Sequence, residues 1–284
     1  MNILELLKKR LQVNSIEVKP VGGGSINEAF RVLTPLQSFF CKINSATKFP
    51  HLFQKESNGL THIGKQKIIS VPEVLDCFDA DGKQFLVLEW IQAGERTESF
   101  WKKFGERLAA LHQVTNKFFG LNEDNYMGSV AQQNSQINDW NIFFANCRLQ
   151  PLIKTCREKH LLSSAHVQQF EHILNRLPRI FNEEPPSLLH GDLWSGNFMC
   201  NESCDPVLID PAIYYGHRSV DLAMTTLFGG FRQPFYEAYH YYFPLPSNYK
   251  EQWKVCNLYP LLIHLLLFGR SYLPQIESTL NDFQ

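Results

Sequence analysis

The chain has 284 residues, 44% of them hydrophobic, and its 27 basic side chains nearly balance 28 acidic ones. This composition suits one large domain or two small lobes with a proper core, and it excludes wholesale disorder. A net charge near zero argues against a broad surface for nucleic acid or an anionic membrane. We therefore expect neither as a partner, while a local basic pocket for phosphates stays open.

The N-terminal residues 1–10 predict an amphipathic helix rather than a targeting segment, because they lack a long apolar run and carry Glu5 early. The most apolar stretch, 259–268, is too short to span a bilayer and contains His264. The seven cysteines follow no repeating frame, which is typical of a reducing compartment. We therefore expect a cytoplasmic protein.

The two parts of the chain predict different structure. Up to residue 91, alternation and turn residues predict strands joined around one helix at 51–65. The predicted strands are 16–21, 26–33, 39–43, 73–78 and 84–90. Beyond residue 91, periodicity predicts mainly helices and one short strand at 207–209. The predicted helices are 99–114, 138–149, 167–177 and further ones from 220 onward. We predict an α+β fold of two lobes, 1–91 and 92–284. The long polar segment 118–138 falls where a substrate lid would sit.

The strongest motif is His190-Gly191-Asp192-Leu193-Trp194-Ser195-Gly196-Asn197, followed after a short apolar strand by Asp210. Kinase-like folds place an Asp, an Asn and a second Asp in this order, because phosphoryl transfer needs an aligned hydroxyl and neutralised phosphate charge. Asp192 is the candidate base, and Asn197 and Asp210 offer oxygen ligands suited to Mg²⁺. We interpret His190 as a structural brace of the loop. The fold predicted is therefore the two-lobed protein-kinase-like fold.

A lysine inside an apolar strand supplies the second part of the predicted site. Lys42 follows Phe39, Phe40 and Cys41, and a buried ammonium needs a partner. Glu56 on the next helix fits that role, as in the strand-lysine and helix-glutamate pair that positions ATP phosphates in kinases. A solvent-facing Glu56 is the alternative.

Two backbone segments complete the predicted nucleotide site. Gly23, Gly24 and Ser25 lie in a glycine-rich turn between strands, where amide groups can approach phosphate oxygens closely. An ordinary hairpin turn is the alternative. Glu89 and Ile91 lie between the predicted lobes, at the position where backbone atoms would contact adenine.

Beyond the general motif, the chain resembles the fructosamine (ketosamine) kinase family along nearly its whole length. The similar blocks are 124–129, 139–144 with 148–151, 190–197, 210–218, 221–231 and 235–239. The resemblance implies that ATP and Mg²⁺ are used to phosphorylate O3 of ketosamines, the sugar adducts of amines such as lysine side chains. The phosphorylated adduct then decomposes and frees the amine, on glycated proteins or free glycated amino acids. The resemblance also implies that Asp192 is the catalytic base and that Lys42 contacts phosphate.

The substrate side rests on three residues. Trp194 follows the candidate base and can stack on a sugar ring, with filling of the lobe interface as an equal alternative. Tyr214 and His217 are predicted to line the pocket. Arg218 is expected to pair with a carboxylate, for which Asp221 is the candidate.

Two other functions compete with this prediction. One is a kinase of the same fold that acts on an aminoglycoside or choline; its proteins are not expected to share the blocks around Asp139 or Tyr214. The other is a non-catalytic pseudokinase, which should lack at least one of Lys42, Asp192, Asn197 and Asp210. All four are present.

Overall fold

The computed structural model describes residues 3–22 and 27–283. The helices are α1 (Ile3–Leu11), α2 (Leu52–Lys65), α3 (Glu98–His112), α4 (Trp140–Phe144), α5 (Gln150–Glu158), α6 (Ser164–Ile180), α7 (Ser219–Leu227), α8 (Gln233–Tyr242), α9 (Tyr249–Phe268) and α10 (Leu273–Asp282). The strands are β1 (Glu17–Pro20), β2 (Glu28–Leu33), β3 (Ser38–Ser45), β4 (Val74–Ala80), β5 (Lys83–Glu89), β6 (Asn125–Met127), β7 (Val130–Gln132), β8 (Ser187–Leu189), β9 (Phe198–Cys200), β10 (Pro206–Leu208) and β11 (Tyr214–Gly216).

The chain divides into two compact units. Unit 1 comprises Met1–Phe100 and Gly196–Pro211, and unit 2 comprises Trp101–Ser195 and Ala212–Gln284. Compared with the predicted lobes 1–91 and 92–284, unit 1 also takes residues 92–100 and the hairpin formed by β9 and β10. This difference matters for the site, because the hairpin connects Asn197 to Asp210.

Unit 1 is built on an antiparallel sheet with the strand order β1-β2-β3-β5-β4. Along β3, successive side chains point to opposite faces of the sheet. Phe39, Cys41 and Ile43 therefore enter the apolar core that Leu6 and Leu7 of α1 also join, and Lys42 lies on the other face. The predicted lysine is thus placed by simple strand alternation.

A buried glutamine fixes α2 against the sheet of unit 1. The Gln84 side chain on β5 accepts a hydrogen bond from the Phe53 amide at 2.9 Å and donates one to the Phe49 carbonyl at 2.7 Å. Leu60 and Ile63 on the same helix are buried. The start of α2 is held by a side chain from the sheet, which sets the position of Glu56 one turn later.

Unit 2 is mainly helical, and its core lies among α5, α6, α7, α9 and α10. The predicted helix at 138–149 is divided. Asp139 caps α4 by accepting from the Ile142 amide at 2.9 Å, and Ala145–Leu149 then forms a π-helical turn. The turn carries the fully buried Arg148. No helix in the described ranges 3–22 and 27–283 is both long and apolar enough to cross a membrane.

The segment 118–138, the long polar segment expected at the position of a substrate lid, contains regular structure. It contains the hairpin of β6 and β7, and buried side chains tie that hairpin to unit 2. Asn125 donates to the Ile213 carbonyl at 2.8 Å, and Gln132 donates to Asn125 Oδ1 at 2.8 Å. Arg148 donates to Asn134 Oδ1 at 2.7 Å. With its polar groups bonded in the interior, this segment is a fixed part of unit 2.

Candidate active site

Unit 1 brings Lys42, Glu56 and Asp210 into one charged cluster. Lys42 Nζ lies 2.7 Å from Glu56 Oε1 and 2.6 Å from Asp210 Oδ1, and the lysine side chain is only 4% exposed. The sequence predicted the pair of Lys42 with Glu56, and the structure confirms it. Asp210 is an additional partner of Lys42 that the sequence did not predict.

The cluster has one cation for two carboxylates. Burial by itself would lower the pKa of Lys42, but the Asp210 and Glu56 carboxylates outweigh it and raise that pKa above its ordinary value. Burial raises the pKa of Glu56, and the Lys42 ammonium opposes this only in part while Asp210 adds to it. Lys42 is therefore firmly charged, and the raised pKa of Glu56 reflects burial together with the competition of two carboxylates for one ammonium.

Asp210 follows the β9–β10 hairpin with a left-handed backbone conformation and a partly exposed side chain. Its φ of 55° lies in the left-handed region, which is unusual for a residue other than glycine, Asn or Asp. Its side chain is 40% exposed although one oxygen contacts Lys42. At the other end of the hairpin Asn197 is buried, and its carbonyl accepts from the Ile209 amide at 3.1 Å.

The Asp210 carboxylate and the Asn197 amide fit a magnesium ion, which prefers oxygen ligands and keeps most of its remaining ligands from water and phosphate. No group of three or more His, Cys, Asp or Glu side chains in the described chain is arranged to hold a metal. Two protein oxygen donors do not complete the coordination of Mg²⁺, so a bound ion would take its remaining ligands from water and phosphate.

The predicted nucleotide contacts of unit 1 are only partly described. Gly23, Gly24 and Ser25 lie outside the described residues. Glu89 is exposed at the end of β5, and its amide donates to the carbonyl of Glu73, just before β4, at 2.9 Å. Ile91 follows the end of that strand and is half-buried. The backbone at Ile91 thus belongs to no strand of the described sheet.

In unit 2 the loop that carries Asp192 is braced through backbone groups. Asp192 is half-buried, and its amide donates to His190 Nδ1 at 3.3 Å. Gly191 has φ 83°, and a Cβ there would meet the Ala212 carbonyl oxygen at 2.1 Å. Only glycine fits this crossing. The bracing role predicted for His190 is confirmed.

A buried carboxylate anchors the same loop. Asp221 at the start of α7 accepts from the amides of His190 at 2.7 Å and Gly191 at 2.8 Å. His112 Nε2 lies 3.2 Å from the same carboxylate, and His112 Nδ1 lies 2.8 Å from the Tyr239 hydroxyl. Sequence reasoning missed this role. The available signal was a carboxylate inside the apolar segment 219–227, which has to find partners when buried.

Of the three predicted substrate residues, only Trp194 has exposed surface. Its ring is half-buried and meets Phe228 edge-on, with 5.9 Å between ring centroids. Tyr214 is 0% exposed and His217 is 1% exposed. Because such side chains cannot touch a ligand without a rearrangement of the core, the structure does not support their predicted substrate contacts.

His217 and Arg218 instead belong to a buried structural group around Glu184. Arg218 donates to both Glu184 oxygens at 2.9 Å, so its expected pairing with Asp221 is wrong. His217 Nε2 lies 3.7 Å from Glu184, and its ring packs against Phe181. Burial lowers the pKa of His217 to about 4, so the ring is neutral at pH 7.

The fold and the two groups of residues define the class of protein. A five-stranded sheet with a buried lysine–glutamate pair, and a loop that presents Asp192, are the parts of a kinase-like phosphotransferase. The crystal structure of the aminoglycoside phosphotransferase APH(4)-Ia superimposes with a TM-score of 0.67 at 12% identity, covering 98% of this chain and 97% of that chain. At that identity the likeness concerns the fold alone.

The chain belongs to the fructosamine kinase family, whose model matches residues 2–284. It is 37% identical to a probable ketoamine kinase of Enterococcus faecium, covering 94% of this chain and 95% of the relative. It is 34% identical to the chloroplastic protein-ribulosamine 3-kinase of Arabidopsis thaliana, covering 94% of this chain and 82% of that relative. A crystal structure from Thermobifida fusca, named as a fructosamine-3-kinase, superimposes with a TM-score of 0.89 at 28% identity, covering 99% and 98% of the two chains. The protein is therefore a phosphotransferase enzyme.

Proposed function

We propose that the protein transfers the γ-phosphoryl group of ATP to O3 of a ketosamine, so that the phosphorylated adduct decomposes and releases its amine. The observation that carries this proposal is the cluster of Lys42, Glu56 and Asp210, whose charge pattern suits a magnesium nucleotide. Family membership supports the ketosamine substrate, since the names of the bacterial and plant relatives specify ketoamines and ribulosamines.

In the proposed reaction the hydroxyl oxygen of the sugar attacks the γ-phosphorus, and the bond from that phosphorus to the β–γ bridging oxygen breaks. Asp192 takes the hydroxyl proton, and ADP leaves. Lys42 binds phosphate oxygens, and its contacts with Glu56 and Asp210 fix its ammonium in place. Asn197 and Asp210 would hold Mg²⁺, which neutralises phosphate charge when bound.

The remaining roles follow from position in the chain. The amides of Gly23, Gly24 and Ser25 would cover the phosphates, and the backbone at Glu89 and Ile91 would contact adenine. We assign Trp194 to the sugar, because its half-buried ring offers an apolar face close in sequence to Asp192.

The test is ADP release from Mg-ATP with four acceptors: ribuloselysine, fructoselysine, an aminoglycoside and choline. We expect turnover on one or both ketosamines and little on the other two. Turnover confined to the aminoglycoside or choline would retain the kinase activity and overturn the ketosamine substrate. ATP binding without turnover on any acceptor would favour a pseudokinase.

A further inference from the structure

A continuous row of aromatic side chains begins at Trp194 and extends along unit 2. Phe228 lies next, and its ring centroid is 4.9 Å from that of His264. The His264 ring is in turn 5.4 Å from Phe268 and 5.0 Å from Tyr272. These five residues are called the aromatic row below.

The aromatic row is open to solvent over much of its length. Phe228 is 36% exposed and Phe268 is 50% exposed, while Trp194, His264 and Tyr272 are half-buried. Single exposed aromatic side chains are ordinary, but contiguous exposed apolar surface marks a binding site. Trp194 and Tyr272 also pack against the core of unit 2, so the exposed rings of Phe228 and Phe268 are the part of the row that core packing does not explain.

The row is held against the loop that carries Asp192. Gly229 and Gly230 follow Phe228 with φ of 71° and 94°, and a Cβ on Gly230 would meet the Ser195 Cβ at 2.5 Å. At the same end, the Trp194 amide donates to the Asp192 carbonyl at 3.2 Å. The row thus starts beside the candidate base and leads away from it.

His264 adds a hydrogen-bond acceptor to the row. Its Nδ1 lies 2.7 Å from the Pro260 carbonyl, which can only accept, so Nδ1 carries the proton. Burial lowers the pKa of His264, and the neutral ring keeps a lone pair on Nε2. Among the residues the structure describes, none donates a hydrogen bond to that nitrogen.

We propose that the aromatic row binds the amine-bearing part of the ketosamine, with the substrate nitrogen donating to His264 Nε2 and the carbon chain of the amine lying on Phe228 and Phe268. A secondary ammonium is both a donor and a cation, and aromatic faces attract cations. An anionic substituent would meet the negative faces of the rings without any gain. This inference rests on the proposed function, and it extends that function from the sugar to the amine.

The test compares two ketosamines of one sugar, one formed with methylamine and one with the lysine side chain. In the wild type we expect the lysine adduct to have the lower KM. Phe268→Ala and Phe228→Ala remove the apolar surface on which the carbon chain is proposed to lie, and should raise the KM for the lysine adduct about 5- to 10-fold. The KM for the methylamine adduct should change less, so the two KM values should become more similar in these variants than in the wild type.

His264→Phe separates the acceptor from the ring. It keeps an aromatic side chain and removes Nε2, so the KM should rise for both adducts by a similar factor. Tyr241→Ala is the matched control, because Tyr241 is 79% exposed on α8 and lies outside the row. Unchanged KM for ATP and an unchanged melting temperature identify variants that remain folded.

The outcomes separate the two proposals. A wild type that phosphorylates ketosamines, with both alanine variants keeping the full preference for the lysine adduct, would overturn the aromatic row as the amine site and leave the proposed function standing. A wild type inactive on both ketosamines but active on another acceptor would overturn the proposed function itself.

Discussion

Two regions of the molecule bury carboxylates, and they do so in opposite ways. In unit 1, Glu56 and Asp210 share a single ammonium, and Asp210 keeps exposed surface. In unit 2, Asp221 is completely buried, and backbone amides and His112 occupy its oxygens. The first arrangement has two carboxylates for one ammonium and leaves Asp210 open to a ligand cation, whereas the second is complete without a ligand. We therefore assign binding to the first and loop support to the second.

The largest effect is expected at Asp192, the proposed base, whose loop is anchored by Asp221. Asp192→Asn keeps the size of the side chain but cannot take the hydroxyl proton, so turnover should fall by about 10²–10⁴-fold while ATP binding stays nearly intact. ADP release and nucleotide titration measure the two effects. Asp282→Asn, which affects an exposed pair with Lys254, is the control. Near wild-type turnover in Asp192→Asn would remove Asp192 from this role.

The next largest effect is expected in the charged cluster. Lys42→Met removes the only ammonium that contacts Glu56 and Asp210 in the described cluster, so kcat/KM for ATP should fall by about 100-fold or more. Steady-state kinetics at varied ATP measure this. Lys42→Arg keeps the charge and should retain more activity than Lys42→Met. Equal kinetics for Lys42→Met and the wild type would exclude the phosphate contact.

Substitution of Asp221, which anchors the loop, should affect the free energy of unfolding more than it affects catalysis. Asp221→Asn replaces one acceptor oxygen by an amide, which cannot accept from both the His190 and Gly191 amides. We expect a loss of about 2 kcal/mol in the free energy of unfolding, measured by chemical denaturation. Asp282→Asn should change it by less than about 1 kcal/mol, because exposed pairs contribute little. Equal stability losses in the two variants would contradict the anchor.

The smallest effect concerns acid stability. The pKa of His217 is lowered from 6.5 to about 4, so the unfolded chain binds the extra proton first as pH falls. The contribution of neutral His217 to the free energy of unfolding is complete above about pH 6.5, and it is lost progressively as the pH falls toward 4. The glutamine side chain cannot titrate in the His217→Gln variant. The slope of its free energy of unfolding against pH should therefore be smaller than that of the wild type, by up to about 1.4 kcal/mol per pH unit.

Denaturation between pH 5 and pH 7 measures this difference from the wild type. His172→Gln, on the exposed side of α6, is the control and should follow the wild-type pH dependence. A His217→Gln protein with the wild-type slope would show that another group is responsible.

Much of the fold was predictable because short-range patterns encode it. Strand alternation placed Lys42, and helical spacing placed α2 with Glu56 on it. The predicted strands 73–78 and 84–90 correspond to β4 and β5, which pair as a hairpin. The α+β, kinase-like fold is confirmed by these elements and by the structural likenesses.

The parts that were missed depend on contacts between residues distant in the chain. Asp221 binds amides about 30 residues earlier, and Arg218 selects Glu184 over the nearer Asp221. No local pattern distinguishes these choices. Tyr214 and His217 were assigned to substrate because their residue types suit a sugar site, but sequence does not report their burial. The π-helical turn that buries Arg148 is equally invisible to a helical pattern of fixed period.

The most direct test of the central claim is NMR identification of the product formed from ATP and fructoselysine or ribuloselysine. The account predicts a phosphate ester on O3 of the sugar in equal amount to the ADP formed, followed by release of free lysine, and none of these with Asp192→Asn. ADP formed with inorganic phosphate only, or an ester on a different hydroxyl, would contradict it.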